Sequence, residues 1–199
     1  SRPRRFVYWR HVHTSSSNMR VTRDHWLTGA RRRLSPHQDE RADPADVALV
    51  VVHGISLPPG RFGGRNVEDL FLGRLDTTAH PSFASLEGVR VSSHLLISRR
   101  GRVTQFVPFD RRAWHAGVSA WRGRSGCNDF AVGIELEGTD DGGYTESQYR
   151  KLDAVLNALV VRYPRLSPDA VVGHLEIAPG RKTDPGPRFD WRRVLTGLR

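Results

Sequence analysis

Two histidines and an aspartate raise the question of chemistry first. His53 closes the apolar run "VALVVVH" (47–53), His174 closes "AVVGH" (170–174), and each precedes a loop rich in glycine and proline. Asp184 follows in "GHLEIAPGRKTDPGPRFDW" (173–191), where three prolines and two glycines between Pro179 and Pro187 exclude a regular helix or a central strand. If the two strand ends are neighbours, two imidazoles and one carboxylate meet at one point. That is a catalytic zinc donor set, with a fourth position left for water. The chemistry it implies is metal-assisted hydrolysis. A structural zinc site would more often draw on cysteines, and the chain has one, Cys127.

Other residues stand near this trio. Lys182 lies two positions before Asp184 and is one of 2 lysines in a chain whose Lys and Arg total 31. A lysine is a compact point charge where arginine is a planar fork. "FAVGIELEG" (130–138) reads as a strand, and alternation puts Glu135 and Glu137 on one face, so periodicity does not choose between them. In "WHAG", Trp114 and His115 could line a pocket, the indole offering an apolar wall to a sugar face; a packed core Trp is the equal alternative. His94 follows the same logic. His11, His13, His25, His37 and His80 read as surface residues, and Cys127 as a small packed side chain. No dinucleotide, Walker or GxSxG pattern occurs.

The elements that must position these groups are short. "VALVVVH" is a β-branched run after a turn signal, which predicts a buried central strand. Residues 67–75 predict a short helix, and 91–108 a hairpin turning at Arg99 to Gly101. Residues 114–129 form a Gly-rich loop. The clearest helix is "TESQYRKLDAVLNALVVRYP", with Thr145 and Gln148 as a capping box, Pro164 as the stop, and an apolar stripe of Tyr149, Leu152, Leu156, Leu159, Val160 and Tyr163. Strands interspersed with helices predict an α/β fold with a single mixed sheet flanked by helices.

Composition bounds the rest. The 199 residues suit one domain, and nothing approaches an apolar membrane span. Net charge is +10, but residues 1–33 hold nine arginines against Asp24 alone, so the excess sits in an N-terminal arm. Residues 1–22 are expected to be a basic, poorly ordered extension and 23–199 the catalytic domain. Met19 is the one methionine, so residues 1–18 read as an upstream extension or a processed remnant. No nucleic-acid motif accompanies the arm, and no nucleic-acid, membrane or obligate protein partner is expected. The lone cysteine and a basic, polar start without an apolar signal core fit a cytoplasmic location.

Three long motifs in order, "VVHGISLPPGRFGG", "WHAGVSAWRGRSGCNDFAVGIELEGTD" and "GHLEIAPGRKTDPGPRFDW", resemble the AmpD-type 1,6-anhydro-N-acetylmuramyl-L-alanine amidases of cell-wall recycling. The resemblance runs from about Trp26 to Trp191 and includes "SPHQDER". It implies the type 2 amidase, or peptidoglycan-recognition-like, fold. It implies zinc on His53, His174 and Asp184, with Glu135 as catalytic carboxylate, Lys182 as catalytic lysine and Arg90 as a substrate contact. The implied substrate is a muropeptide, cut between (1,6-anhydro)-N-acetylmuramic acid and L-alanine. Two departures stand out: relatives usually carry Asn where this chain has Gly54, and tend to carry Arg where it has Gly126. Competing readings are an amidase acting on intact peptidoglycan, as autolysins and phage lysins do, and a non-catalytic peptidoglycan-recognition module. Loss of a ligand would mark the latter, and all three candidates are present.

Overall fold

The computed structural model describes residues 19–197. In chain order its strands are β1 (Arg31–Arg32), β2 (Gln38–Glu40), β3 (Leu49–Ile55), β4 (Leu95–Ile97), β5 (Val103–Gln105), β6 (Arg111–Ala113), β7 (Ala120–Trp121), β8 (Arg124–Ser125), β9 (Ala131–Glu137) and β10 (Val171–Gly173). The α-helices are α1 (Asn66–Phe71), α2 (Glu146–Arg162), α3 (His174–Ile177) and α4 (Trp191–Gly197). Six strands make one sheet in the order β1-β5-β4-β9-β3-β10, parallel except where β4 meets β5 as the expected hairpin. This is the mixed sheet flanked by helices that the alternation of elements predicts. Two small antiparallel pairs, β2 with β6 and β7 with β8, lie outside it.

Alternation sorts the side chains of the central strands onto two faces. On one face Val50, Val52, Val132, Ile134 and Leu136 pack with Leu152, Val155, Leu156 and Leu159 of α2 and with Val194 of α4. Burying each such side chain contributes about 1.5–3 kcal/mol. Helix α2 starts as its sequence dictates: Thr145 and Gln148 form a reciprocal capping box. The apolar stripe is shifted slightly from the expected one, since Val155 is fully buried and Val160 only partly so.

The opposite face carries two smaller apolar clusters. One holds Leu49, Val51, Ala131, Phe130, Ala116, Ile177 and the fully buried Cys127. The other holds Leu96, Phe106, Val107, Val67, Leu70 and Phe71. Between them lie His53 and Glu135.

Two boundaries near the site differ from the sequence reading, and the helix expected over 67–75 ends already at Phe71. Strand β3 continues past His53, because Gly54 and Ile55 still pair with Leu136 and Glu137. Strand β10 stops at Gly173, so His174 opens α3 instead of ending a strand. The Glu176 carboxylate causes that switch, accepting from Gly173 N at 2.8 Å. Of the expected extension 1–22, residues 1–18 lie outside the described residues. Residues 19–22 depart from that expectation: Met19 joins the main core, Val21 bridges to Leu27, and Arg20 N donates to Thr28 Oγ1 at 3.0 Å. Among the described residues no helix is long and apolar enough to cross a membrane.

Candidate active site

The register of the parallel strands does most of the assembly. His53 of β3 lies beside Glu135 of β9, which lies beside Leu96 of β4, and Gly173 of β10 lies beside Val52. His53, Glu135 and His174 are therefore collected near the carboxyl ends of parallel strands, where ligands bind in open α/β sheets. Asp184 arrives from the loop after α3, fixed in part by its own carbonyl, which accepts from Leu175 N at 3.1 Å.

The three donors converge closely. His53 Nδ1 is 3.0 Å from His174 Nδ1 and 3.1 Å from Asp184 Oδ2, and His174 Nδ1 is 3.2 Å from Asp184 Oδ2. Tetrahedral coordination at 2.0–2.1 Å separates neighbouring donors by roughly 3.3 Å, so the set fits one small cation. The far ring nitrogens support the same reading. His174 Nε2 sits 3.2 Å from the Ala116 carbonyl, an acceptor only, so Nε2 carries the proton and Nδ1 keeps its lone pair. The Ala116 carbonyl also accepts from Arg181 Nη2 at 2.7 Å. His53 Nε2 meets His115 Nδ1 at 2.9 Å. Outer partners of this kind fix the tautomer and ring plane of a metal-binding imidazole.

Burial and charge tune the cluster. Desolvation, with a smaller contribution from His174, pushes His53 down to about 4 against the pull of Asp184, so the ring is neutral at physiological pH. Burial works to raise the Asp184 carboxyl, but its close approach to the His174 and His53 rings holds it well below the usual carboxylate range. Glu135 moves the other way. Desolvation first, and the Asp184 charge second, push it well above the ordinary value, with Lys182 opposing. Its Oε2 is buried without a partner. A buried carboxyl whose proton affinity is raised in this way has the character of a proton acceptor.

Glu137, on the same face, is occupied. Its carboxylate accepts from Gly63 N at 2.5 Å and Arg99 N at 3.0 Å, tying two loops to the carboxyl end of β9. Their partners distinguish the two glutamates: Glu137 holds loops, and Glu135 is left with an unpartnered oxygen.

The remaining candidates separate. Lys182 is partly buried and near enough to influence both His53 and Glu135. His115 stands behind His53, with its own Nε2 buried and unpartnered. Trp114 lies away from the trio, its Nε1 donating to Asp39 Oδ1 at 3.1 Å and its ring stacked on His37 at 5.9 Å. Arg90 is exposed at a shallow groove that His37 also lines.

Several supporting residues escape a sequence reading. Gly133 has no room for a side chain, because a Cβ there would come within 2.5–2.7 Å of the His115 ring. Asn128 Oδ1 accepts from His115 N and Ala116 N at 3.1 and 2.8 Å, and so shapes the loop that carries both. Arg41, from "SPHQDER", is buried. It donates to the carbonyls of Phe109, Asn128 and Ala131, and one Nη lies 3.2 Å from His94 Nε2. A glycine inside a strand is a visible sign of close approach; nothing in the sequence says what approaches.

Comparison with known proteins points the same way. The family described as N-acetylmuramoyl-L-alanine amidase matches residues 43–187. The 1,6-anhydro-N-acetylmuramyl-L-alanine amidase AmpD of Citrobacter freundii is 58% identical over 168 residues, 84% of this chain and 89% of that protein. A crystal structure of a selenomethionine AmpD derivative superposes with a TM-score of 0.86 at 55% identity, covering 88% of this chain and 98% of that one. A structure of AmiD from Escherichia coli is also similar, with a TM-score of 0.57 and 29% identity, covering 90% of this chain and 65% of that one. That structure holds the substrate anhydro-N-acetylmuramic acid-L-Ala-D-gamma-Glu-L-Lys.

Proposed function

The chain belongs to the N-acetylmuramoyl-L-alanine amidase family, and from that membership we propose that it is a zinc-dependent amidase of peptidoglycan recycling, cleaving the amide between (1,6-anhydro)-N-acetylmuramic acid and L-alanine in muropeptides. The observation that carries the reading is the convergence of His53 Nδ1, His174 Nδ1 and Asp184 Oδ2 beside a buried carboxylate with a free oxygen.

His53, His174 and Asp184 would hold the zinc. When bound, zinc supplies Lewis acidity toward a carbonyl oxygen and toward water. Glu135 takes the proton of the attacking water as general base and returns it to the departing alanine amine. Lys182 provides fixed positive charge for the oxygen that becomes negative in the tetrahedral intermediate, a contribution of about 3 kcal/mol for one well-placed donor. His115 and the Ala116 carbonyl keep the two imidazoles in the tautomer that presents Nδ1. Arg90, with Trp114 behind His37, is assigned to the sugar end of the substrate. The companion assignment, that the enzyme works in the cytoplasm, rests on the recycling role of this substrate class.

The test is hydrolysis of anhydro-muropeptides and of intact sacculi by the purified protein, read by release of L-alanyl peptide. The expected result is rapid cleavage of the soluble substrate, loss of activity after chelation, and recovery with added zinc. Activity confined to sacculi would move the protein to the wall-degrading amidases. Activity indifferent to chelation would remove the metal from the account.

A further inference from the structure

The Asp184 loop is held from outside the donor set by one aromatic residue. Tyr144 lies in the segment between β9 and α2, and its hydroxyl donates to the carbonyl of Pro185, the residue after Asp184, at 2.9 Å. Its ring packs edge-on against Phe189 at 5.5 Å and Tyr149 at 6.5 Å. Two glycines make room for it. A Cβ at Gly54, directly after His53, would overlap the Tyr144 hydroxyl, and one at Gly138 would come within 2.5–3.1 Å of the ring. The same loop is pressed from two further sides. Gly173 lies under the Pro185 ring, where a Cβ would be 2.7 Å from Cδ, and Gly186 lies against the Asp140 backbone.

Tyr144 therefore touches the chain next to both His53 and Asp184, donors that are 131 residues apart in sequence. We propose that Tyr144 is a positioning residue for the metal site, a latch that sets where the Asp184 carboxylate stands relative to the two imidazoles. The proposal rests on the zinc reading above. The mechanism is geometric: the phenol bonds a carbonyl one residue from the carboxylate, and the bare Gly54 lets the same hydroxyl index that carbonyl to the end of β3. Groups outside the donor set that orient its members affect metal affinity by about 10–100-fold. The Tyr144 contact acts through a neighbouring carbonyl, so the lower end of that range is expected.

The experiment is competitive zinc titration of the wild type and of Tyr144→Phe against a chromophoric chelator, with melting temperatures of both metal-free proteins. Phenylalanine keeps the ring in its glycine cradle and removes only the hydroxyl. The variant should bind zinc about tenfold more weakly, melt metal-free within about 2 °C of the wild type, and recover wild-type turnover when zinc is saturating. Cobalt substitution gives a second readout, because a displaced carboxylate changes the visible absorption of the bound ion. Equal zinc affinity in the two proteins would overturn the proposal, as would low turnover that persists with the site filled. A wild type that binds no zinc would instead overturn the metal reading itself, so the two failures are distinguishable.

Discussion

The two faces of the central sheet are written by the same strands and obey opposite rules. Toward α2, the alternate positions of β3 and β9 are Val50, Val52, Val132, Ile134 and Leu136, and every one is packed. On the other face the intervening positions include His53, Gly133 and Glu135, where packing is interrupted for an imidazole and a carboxylate. The first face needs only apolar volume. The second needs space, polar atoms left unsatisfied, and a glycine, Gly133, that admits the His115 ring.

A finer comparison lies within this one. Each side holds a carboxyl with one buried, unpartnered oxygen, Glu135 in the site and the partly exposed Asp153 on α2. Both are shifted upward, with burial as the leading cause. Only Glu135 faces a set of converging donors and a lysine; Asp153 has Arg193 and Glu146 as its charged neighbours. An orphaned carboxylate does not by itself mark a catalytic residue; what sets Glu135 apart is the donor set around it.

Three substitutions sharpen that difference. The largest effect is expected from Glu135→Gln, which should retain zinc and lose between about a hundredfold and ten-thousandfold in kcat, measured by release of L-alanyl peptide. A variant with full turnover would take the general-base role from Glu135. Leu156→Ala, on the packed face, should behave in reverse: about 2–5 kcal/mol of stability lost in chemical denaturation, with zinc affinity of the folded protein unchanged. A loss of metal affinity there would mean that the two faces are coupled.

The smallest effect is expected at Asp153. Burial raises its carboxyl from 3.8 to about 6, so the folded protein binds this proton more tightly than the unfolded chain. Stability then falls as pH rises through that interval, and the full penalty is present above it. Asp153→Asn removes the penalty. After discounting for partial exposure, the gain should be about 1 kcal/mol at neutral pH, or roughly 2–4 °C in melting temperature, with no gain near pH 4. Equal gains at both pH values would assign the effect to packing.

Much of this site was legible in the residues. His53 and His174 each stand where an apolar run gives way to a loop, and Asp184 sits in a segment too rich in proline and glycine to be anything but a fixed turn. The long capped helix was equally plain. What escaped depended on contacts between distant segments. Glu135 and Glu137 are equivalent by alternation, and only Gly63 and Arg99, reaching in from two loops, make them different. His115 reads as a pocket wall until its Nδ1 is found against His53. Strands β1, β2 and β6 are two or three residues long, too short for a period to register. Arg41 carries a charge that composition assigns to the surface, yet it is buried among carbonyls, and desolvation pushes its guanidinium down to about 10.

The donor set itself is most directly tested by zinc-edge X-ray absorption and anomalous diffraction on the metal-loaded protein. The account predicts one ion per chain at the meeting point of His53 Nδ1, His174 Nδ1 and Asp184 Oδ2, with nitrogen and oxygen donors at about 2.0–2.2 Å and no sulfur. An ion bound elsewhere, sulfur from Cys127 in its coordination sphere, or no bound ion would contradict it.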